Sequence, residues 1–241
     1  MLTLLYVFAV VMLASLLQAL TGFGFALLAT PLLTLVLPIR EVVMLVLVTS
    51  TLVIAVMVCR NWRQGKFSRL YIILTASIIG MVPGIYALRV INDQVLKSII
   101  GVVLIISALA TAGSTPGSLR CRGMAKTAAG LLSGFLGITT GLNGPPVVLY
   151  MMSETRDKEL VRANLACFFL TSNCAAVLLA YSSGLLHPGD IAVNVTVAIP
   201  AIVIGYWLGN KIFAIIDFPT LRQIGLTLVL FSGVVMLGLR P

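Results

Sequence analysis

Charged side chains are what this 241-residue sequence has least of. Asp, Glu, Lys and Arg together make up 10% of it, whereas hydrophobic residues make up 60%. A soluble domain averages about 25% charged residues. A water-facing fold of this size cannot hide so much apolar surface. The composition therefore excludes a soluble monomer and indicates a membrane protein.

Long stretches lack any charged side chain. A helix needs about 20 apolar residues to cross roughly 30 Å of hydrocarbon, and most of these stretches suit one crossing. They lack the polar–apolar alternation of barrel strands. The first has no basic start and is too long for a cleaved signal peptide. The charge-free stretches are 1–39, 42–59, 70–88, 98–119, 127–153, 163–189, 191–210 and 223–239.

Histidine and paired cysteines are also scarce. His187 is the single histidine and is predicted to lie in a loop, and no two of Cys59, Cys121, Cys167 and Cys174 have C-x-x-C spacing. We therefore expect no metal site, no disulfide framework and no cofactor. Intramembrane hydrolysis would need a nucleophile with a base, or a metal with its ligands. The predicted membrane spans hold no pair of acidic residues, and His187 has no acidic neighbour within a span. The sequence therefore argues against an enzyme.

The net charge of +9 lies mainly in the segments between the apolar stretches. Lys and Arg accumulate in the cytoplasmic loops of membrane proteins, and that bias explains the charge. A nucleic-acid partner is not needed and not expected. The expected partners are the lipid bilayer and a small solute, and the sequence leaves a homo-oligomer open.

One segment, 113–126 (GSTPGSLRCRGMAK), has the composition of a linker and becomes basic towards its end. It divides the chain into a first membrane repeat, 1–112, and a second, 127–241. The division prompts a search for an internal repeat.

Four features recur in order in the two halves, and each half holds four hydrophobic segments. The paired Gly-x-x-x-Gly motifs among them predict close helix packing. At an offset of 119, residues 15–25 match 134–144, and at 122, Arg40 and Thr49-Ser50 match Arg162 and Thr171-Ser172. At an offset of 125, Gly80 and Gly84 match Gly205 and Gly209, and Leu96-Lys97 matches Leu221-Arg222.

The first segment of each half is interrupted by polar and flexible residues. Gly and Pro weaken a helix, and Pro also removes a backbone donor, so the run 143–146 (Asn-Gly-Pro-Pro) is not expected to continue a regular helix. Irregular backbone at membrane depth survives only where protein or a water-filled cavity satisfies it. Packing kinks are the alternative explanation, but broken segments at matching places in two repeats are typical of a transport site.

The chemistry of such a site favours an anion. The segment cores contain no Asp or Glu, and a helix that restarts after a break offers free N–H groups and a partial positive charge. The candidates at the breaks are Gln18, Thr21, Gly22, Gly24, Thr139, Thr140, Gly141, Asn143 and Gly144. Second-choice candidates, because Ser and Thr also bond to their own helix, are Thr49, Ser50, Thr171, Ser172 and Asn173.

Two motifs carry a family resemblance over essentially the whole chain. GLLSGFLGITTGLNGPPVVLYM (130–151) and its weaker partner QALTGFGFALLATPLL (18–33), with the following Arg, Thr-Ser and late Gly-x-x-x-Gly, resemble the TauE/SafE family of sulfite exporters. The resemblance implies transport of sulfite, sulfonates and related small anions, and suits a bacterial inner membrane. The sequence departs from the family's glycine-rich G-x-G-G-G pattern, so a permease for another small solute stays open.

The charges also predict topology. If each half crossed four times, basic residues would divide eight to eight between the two sides. If each broken segment returns to the side it entered, the division becomes twelve to four, as the positive-inside rule expects. The minority side then holds Arg40, Arg89, Lys97 and Arg240. The predicted fold is thus an all-α polytopic membrane protein of two inverted halves, each with a broken or re-entrant first segment.

Overall fold

The computed structural model describes residues 2–61, 70–95, 122–154 and 157–217, with scattered residues between 98 and 106 and between 220 and 238. The elements with bounds in these residues are all helices, which confirms the all-helical prediction for this part of the chain. They are α1 (Leu2–Thr21), α2 (Gly24–Leu33), α3 (Ile39–Asn61), α4 (Tyr71–Val90), α5 (Arg122–Thr140), α6 (Gly144–Glu154), α7 (Lys158–Ser182) and α8 (Pro188–Phe213).

Helix α5 begins at Arg122, inside the segment 113–126 assigned to the linker. The remainder of that linker, the basic loop after α3 and most of the stretches 98–119 and 223–239 lie outside the described residues. His187 is exposed and directly precedes α8, so its placement in a loop is confirmed.

Helices α3 and α7 form the centre of the molecule. Five described helices, α1, α3, α4, α7 and α8, are long and apolar enough to cross a membrane. In α3 and α7, 67% and 61% of the apolar window is buried, against 39%, 39% and 33% in α1, α4 and α8. The outer three expose large apolar side chains such as Ile79, Val82 and Val203. Exposed apolar surface of this extent suits contact with lipid.

Two outer helix pairs pack almost backbone to backbone. A Cβ added at Gly80 would overlap the carbonyl oxygen of Leu131, and one at Gly84 would lie 3.0 Å from that of Phe135, so α4 lies against α5. Gly205 and Gly209 face the carbonyl oxygens of Met12 and Leu16 in the same way, so α8 lies against α1. The close packing predicted from the two Gly-x-x-x-Gly motifs is confirmed. Because residue numbers rise together in both pairs, each pair is parallel.

Contacts between helix termini define two ends of the bundle. At end A, the Arg40 guanidinium at the start of α3 pairs with the Asp93 carboxylate (3.2 Å), just after α4. There, too, Arg89 in the last turn of α4 donates to the carbonyl of Ser183, which follows α7. End B holds the start of α7 and the end of α8, where Arg162 donates to Asn210 (3.0 Å). Helices α3 and α7 therefore run in opposite directions.

The chain leaves end A in α1 and comes back to it before α3. Helix α8 starts at end A, five residues after α7, and α1 is parallel to it. The Tyr6 hydroxyl in α1 donates to the carbonyl of Leu32 in α2 (3.0 Å), so α2 ends beside the start of α1. Likewise α5, parallel to α4, starts at end B, and α7 starts there as well. Segments 2–38 and 122–157 each return to the end from which they started.

Candidate functional site

Two buried residues, Gly22 and Phe23, separate the end of α1 from the start of α2. Gly22 has φ +82, a left-handed conformation that glycine adopts without strain, and its N–H donates to the carbonyl of Gln18 (2.8 Å). The Gln18 side chain, 2% exposed, then spans the break. Its Nε2 donates to the carbonyl of Gly22 (2.9 Å), and its Oε1 accepts from the N–H of Phe25 (3.0 Å). One amide thus satisfies backbone groups on both sides of this first break.

The second break lies between α5 and α6. Gly141 has φ +75, and its N–H donates to the carbonyl of Gly137 (3.0 Å). Helix α6 begins at Gly144, so Pro145 and Pro146 occupy its first turn, where a missing N–H has no helical partner to lose. The interruption predicted at 143–146 therefore lies at 141–143, and the two prolines begin the next helix.

The two breaks share one hydrogen-bond pattern. Thr21 and Thr140 each donate to the carbonyl four residues earlier (2.8 and 2.6 Å). Each also accepts from the N–H two residues later (3.2 and 3.0 Å). Each hydroxyl thus links the last turn of its helix to the backbone of the break that follows. Thr139, beside Thr140, bonds only to its own helix, through the carbonyls of Phe135 (2.7 Å) and Leu136 (3.3 Å).

The breaks differ at the position of Gln18. Its counterpart at the offset of 119 is Gly137, and a Cβ added there would lie 2.9 Å from the Cβ of Asn143. Asn143 thus occupies the space that a side chain at position 137 would need. Its amide turns away from its own break and bonds to another helix.

The two breaks touch each other. A Cβ on Gly144, the first residue of α6, would lie 3.6 Å from the carbonyl oxygen of Phe23 in the first break and 3.8 Å from the ring of Phe169 in α7. Gly24, the first residue of α2, is buried too, with Thr21 Oγ1 2.9 Å from its added Cβ. The N-terminal ends of two half-length helices, each carrying partial positive charge, therefore converge beside α7.

A chain of buried polar side chains extends from the second break across the central helices. Asn143 Nδ2 donates to Asn173 Oδ1 on α7 (2.6 Å), and Asn173 Nδ2 donates to Ser50 Oγ on α3 (3.0 Å). Ser133 on α5 donates to the backbone carbonyl of Asn143. The structure thus brings together Asn143, Asn173 and Ser50, which the sequence placed in different segments.

The remaining second-choice candidates divide. Ser172 is buried, and its hydroxyl shares a hydrogen bond with that of Ser77 on α4 (3.1 Å). Thr49 is buried and bonds to the carbonyl of Leu45 (2.6 Å) in its own helix. Thr171 is exposed, bonds to the carbonyl of Cys167 (3.0 Å) and does not join the others. An i, i+4 back-bond of this kind needs no ligand.

Two residues outside the predicted set lie directly at the breaks. Arg162, on α7, is 4% exposed, and its Cγ lies 3.5 Å from a Cβ added at Gly22. Thr30, on α2, is fully buried, and its Oγ1 lies 3.6 Å from a Cβ added at Gly141. The Arg162 Nε and the Thr30 Oγ1 have no hydrogen-bond partner among the described residues. The sequence marks Arg162 only as the counterpart of Arg40, a feature of the internal repeat and of the family resemblance, and it gives no signal for Thr30.

The buried interior carries positive but no negative charge in the described residues. No Asp or Glu is buried there, and Arg162 is the one buried charged side chain. The same part of the chain holds no cluster of three His, Cys, Asp or Glu side chains that could bind a metal ion. Helix N-termini, neutral amides, hydroxyls and a guanidinium are groups that solvate an anion.

A family model described as "Sulfite exporter TauE/SafE" matches residues 7–236, nearly the whole chain. No curated protein and no solved structure matches significantly.

Proposed function

Because this chain belongs to the sulfite exporter TauE/SafE family, we propose that it exports small sulfur-containing or organic anions, such as sulfite or sulfonates, from the bacterial cytoplasm across the inner membrane. The observation that carries the proposal is the meeting of the two breaks. Both α2 and α6 begin there, and a Cβ added at Gly144 would lie 3.6 Å from the carbonyl oxygen of Phe23. The two helix N-termini lie close together, and no carboxylate is buried among the residues that the structure describes. Both features favour a bound oxyanion.

Within this site we assign two kinds of role. Gln18, Thr21 and Thr140 satisfy the backbone groups that the breaks release, and so hold the breaks in shape. Asn143 and Asn173 have amides that bond to other side chains and can exchange those partners for the oxygens of a substrate. Neutral donors bind an anion weakly enough to let it leave, which a carrier requires.

The helix directions support an inverted repeat. The first half starts at end A and the second at end B, because each broken segment returns to its own starting end. End A carries Arg40 and Arg89, two of the four residues on the predicted basic-poor side. End B carries Lys126, Arg162 and Lys211, near the starts of α5 and α7 and the end of α8. The positive-inside rule then makes end B cytoplasmic.

We propose that transport proceeds by alternating access around this site. The polar chain from Asn143 through Asn173 to Ser50 joins α3, α7 and the second break at the centre of the molecule. If one half rocks against the other around these groups, the site opens first to end B and then to end A. Inverted repeats provide two such states of similar packing.

Cysteine labelling tests the topology. Single cysteines at Gln64 and Leu185, in a background without the native four, are expected to react from opposite faces of the membrane. Membrane-impermeant maleimide on intact and on inverted vesicles gives the measurement. Labelling of both positions from the same face would exclude the inverted arrangement.

Transport in proteoliposomes tests the function. The panel is sulfite, thiosulfate, methanesulfonate, taurine, acetate and an uncharged solute such as glycerol, and we expect movement of the sulfur oxyanions above protein-free vesicles. Each negative charge that leaves a negative interior gains about 2.3 kcal/mol per 100 mV. We therefore expect an imposed potential, positive outside, to drive efflux. Transport of glycerol without any anion would instead support a permease of another class.

A further inference from the structure

Arg162 differs sharply from its counterpart in the first half. Arg40 lies at end A, its side chain is 53% exposed, and it pairs with Asp93. Arg162 lies at end B and is 4% exposed. Among the described residues no carboxylate forms an ion pair with it, and Glu159, one turn earlier, is exposed. A buried charge that no ion pair balances is unfavourable, and the contacts that the described residues give this guanidinium, the Asn210 amide and the Phe213 ring, are neutral.

The guanidinium is held in a defined orientation. Its carbon lies 4.0 Å from the centre of the Phe213 ring, so a cation–π contact covers one face. One terminal nitrogen donates to Asn210 Oδ1 (3.0 Å), while Nε has no partner in the described residues. An arginine presents five N–H donors in a planar fork that matches an oxyanion. The hydrogen bond to Asn210 leaves the buried Nε–H of this fork available to an oxyanion.

The position of Arg162 connects it to the first break. Its side chain passes over Gly22, two residues before α2 begins. Arg162 therefore packs against the turn from which α2 starts, and its guanidinium reaches from there to Asn210 and Phe213 at the end of α8. Arg162 also lies eleven residues before Asn173 on α7, about 16 Å along the helix. It stands between end B and the central polar chain.

We propose that Arg162, with Asn210, forms an anion-binding site beside the first break, on the end-B side of the transport pathway. It takes the oxyanion head of sulfite or a sulfonate before the substrate reaches Asn143 and Asn173. This inference rests on the proposed function and adds to it a charge-selective entrance. It also places the selective group at only one of the two ends, because Arg40 is neutralised by Asp93.

The test measures binding and transport together in purified protein. Methanesulfonate is the anionic probe and dimethyl sulfone, of similar shape, the neutral one; a thermal-shift titration gives binding and proteoliposome flux gives KM. Wild-type protein is expected to bind only methanesulfonate. Arg162→Gln should raise the KM for methanesulfonate at least tenfold, and Arg162→Lys should raise it less. Arg40→Gln is the matched control and should leave this KM unchanged.

A second variant separates binding from structure. Asn210→Asp places a carboxylate beside the guanidinium, which should raise or preserve the melting temperature while methanesulfonate binding falls at least tenfold. A merely structural Arg162 predicts unchanged binding in Asn210→Asp, and that result would overturn the inference. An unchanged KM in Arg162→Gln would overturn it too, yet leave the proposed function standing. Wild-type protein that neither binds nor transports sulfite or methanesulfonate would overturn both.

Discussion

The two breaks have the same backbone geometry but use their polar side chains differently. In the first, Gln18 bonds to the backbone on both sides of its own break. In the second, Gly137 stands at that position, and the amide of Asn143 bonds instead to Asn173 on α7. The first break is therefore closed within itself, whereas the second supplies a group to the space between helices. Two turns with matching backbone hydrogen bonds thus differ in what their side chains connect.

The largest difference between the breaks is expected from substitution of their amides by leucine. Asn143→Leu should reduce sulfite transport to the level of empty vesicles while the protein still inserts, because it removes the amide that links the second break to α7. Gln18→Leu should leave measurable transport per folded molecule. Flux normalised to folded protein from gel filtration gives the comparison. Unchanged transport kinetics in Asn143→Leu would remove it from the site.

For the stability of the folded protein, we expect Gln18→Leu to have a larger effect than Asn143→Leu. Gln18→Leu leaves the carbonyl of Gly22 and the N–H of Phe25 without their partner, at a cost of about 1–3 kcal/mol each when buried. Asn143→Leu leaves no backbone group of its own break exposed in this way. Thermal unfolding in detergent should therefore give the lower melting temperature for Gln18→Leu. Equal melting temperatures would contradict the distinct roles of the two amides.

The left-handed glycines test whether both breaks need their geometry. Alanine there costs roughly 1–2 kcal/mol of backbone strain. Gly141→Ala should be worse than Gly22→Ala, because its Cβ would lie 3.1 Å from Val46 Cγ1, against a nearest atom at 3.5 Å for Gly22. Gly184→Ala is the matched control, since it has φ +67 and open space around it. It should lower the melting temperature without changing the KM for sulfite; a KM change there as large as in Gly141→Ala would argue against a special role for the breaks.

The smallest effect is expected at the far end of the polar chain. Ser50→Ala removes the acceptor of Asn173 Nδ2 but leaves the Asn143–Asn173 bond intact. A hydrogen bond of this kind contributes about 0.5–1.5 kcal/mol, so we expect a change of a few-fold in sulfite KM. Thr171→Val, at an exposed position on α7, is the control and should behave as wild type. Loss of all transport in Ser50→Ala would move the centre of the site towards α3.

Much of the architecture was predictable because it depends on local patterns. Charge-free stretches of about 20 residues predict helices in a membrane, and Gly-x-x-x-Gly motifs predict close contacts, which Gly80 and Gly205 make. Glycine and polar residues at matching places located both interruptions to within a few residues. The same logic misplaced the end of the second one, because prolines in a first helical turn begin a helix as readily as they end one.

The sequence by itself determined that the chain lies in a membrane, where its helices are and where two of them are interrupted. Each of these features follows from hydrophobicity and backbone preference over a few neighbouring residues. Only the tertiary structure decided which polar groups meet. Thr49, Ser50 and Thr171 look alike in the sequence, yet only Ser50 joins the chain to Asn143. Arg40 and Arg162 occupy matching places, yet one reaches the surface and a carboxylate while the other is enclosed. Burial and partners depend on helices distant in sequence, and no local pattern contains that information.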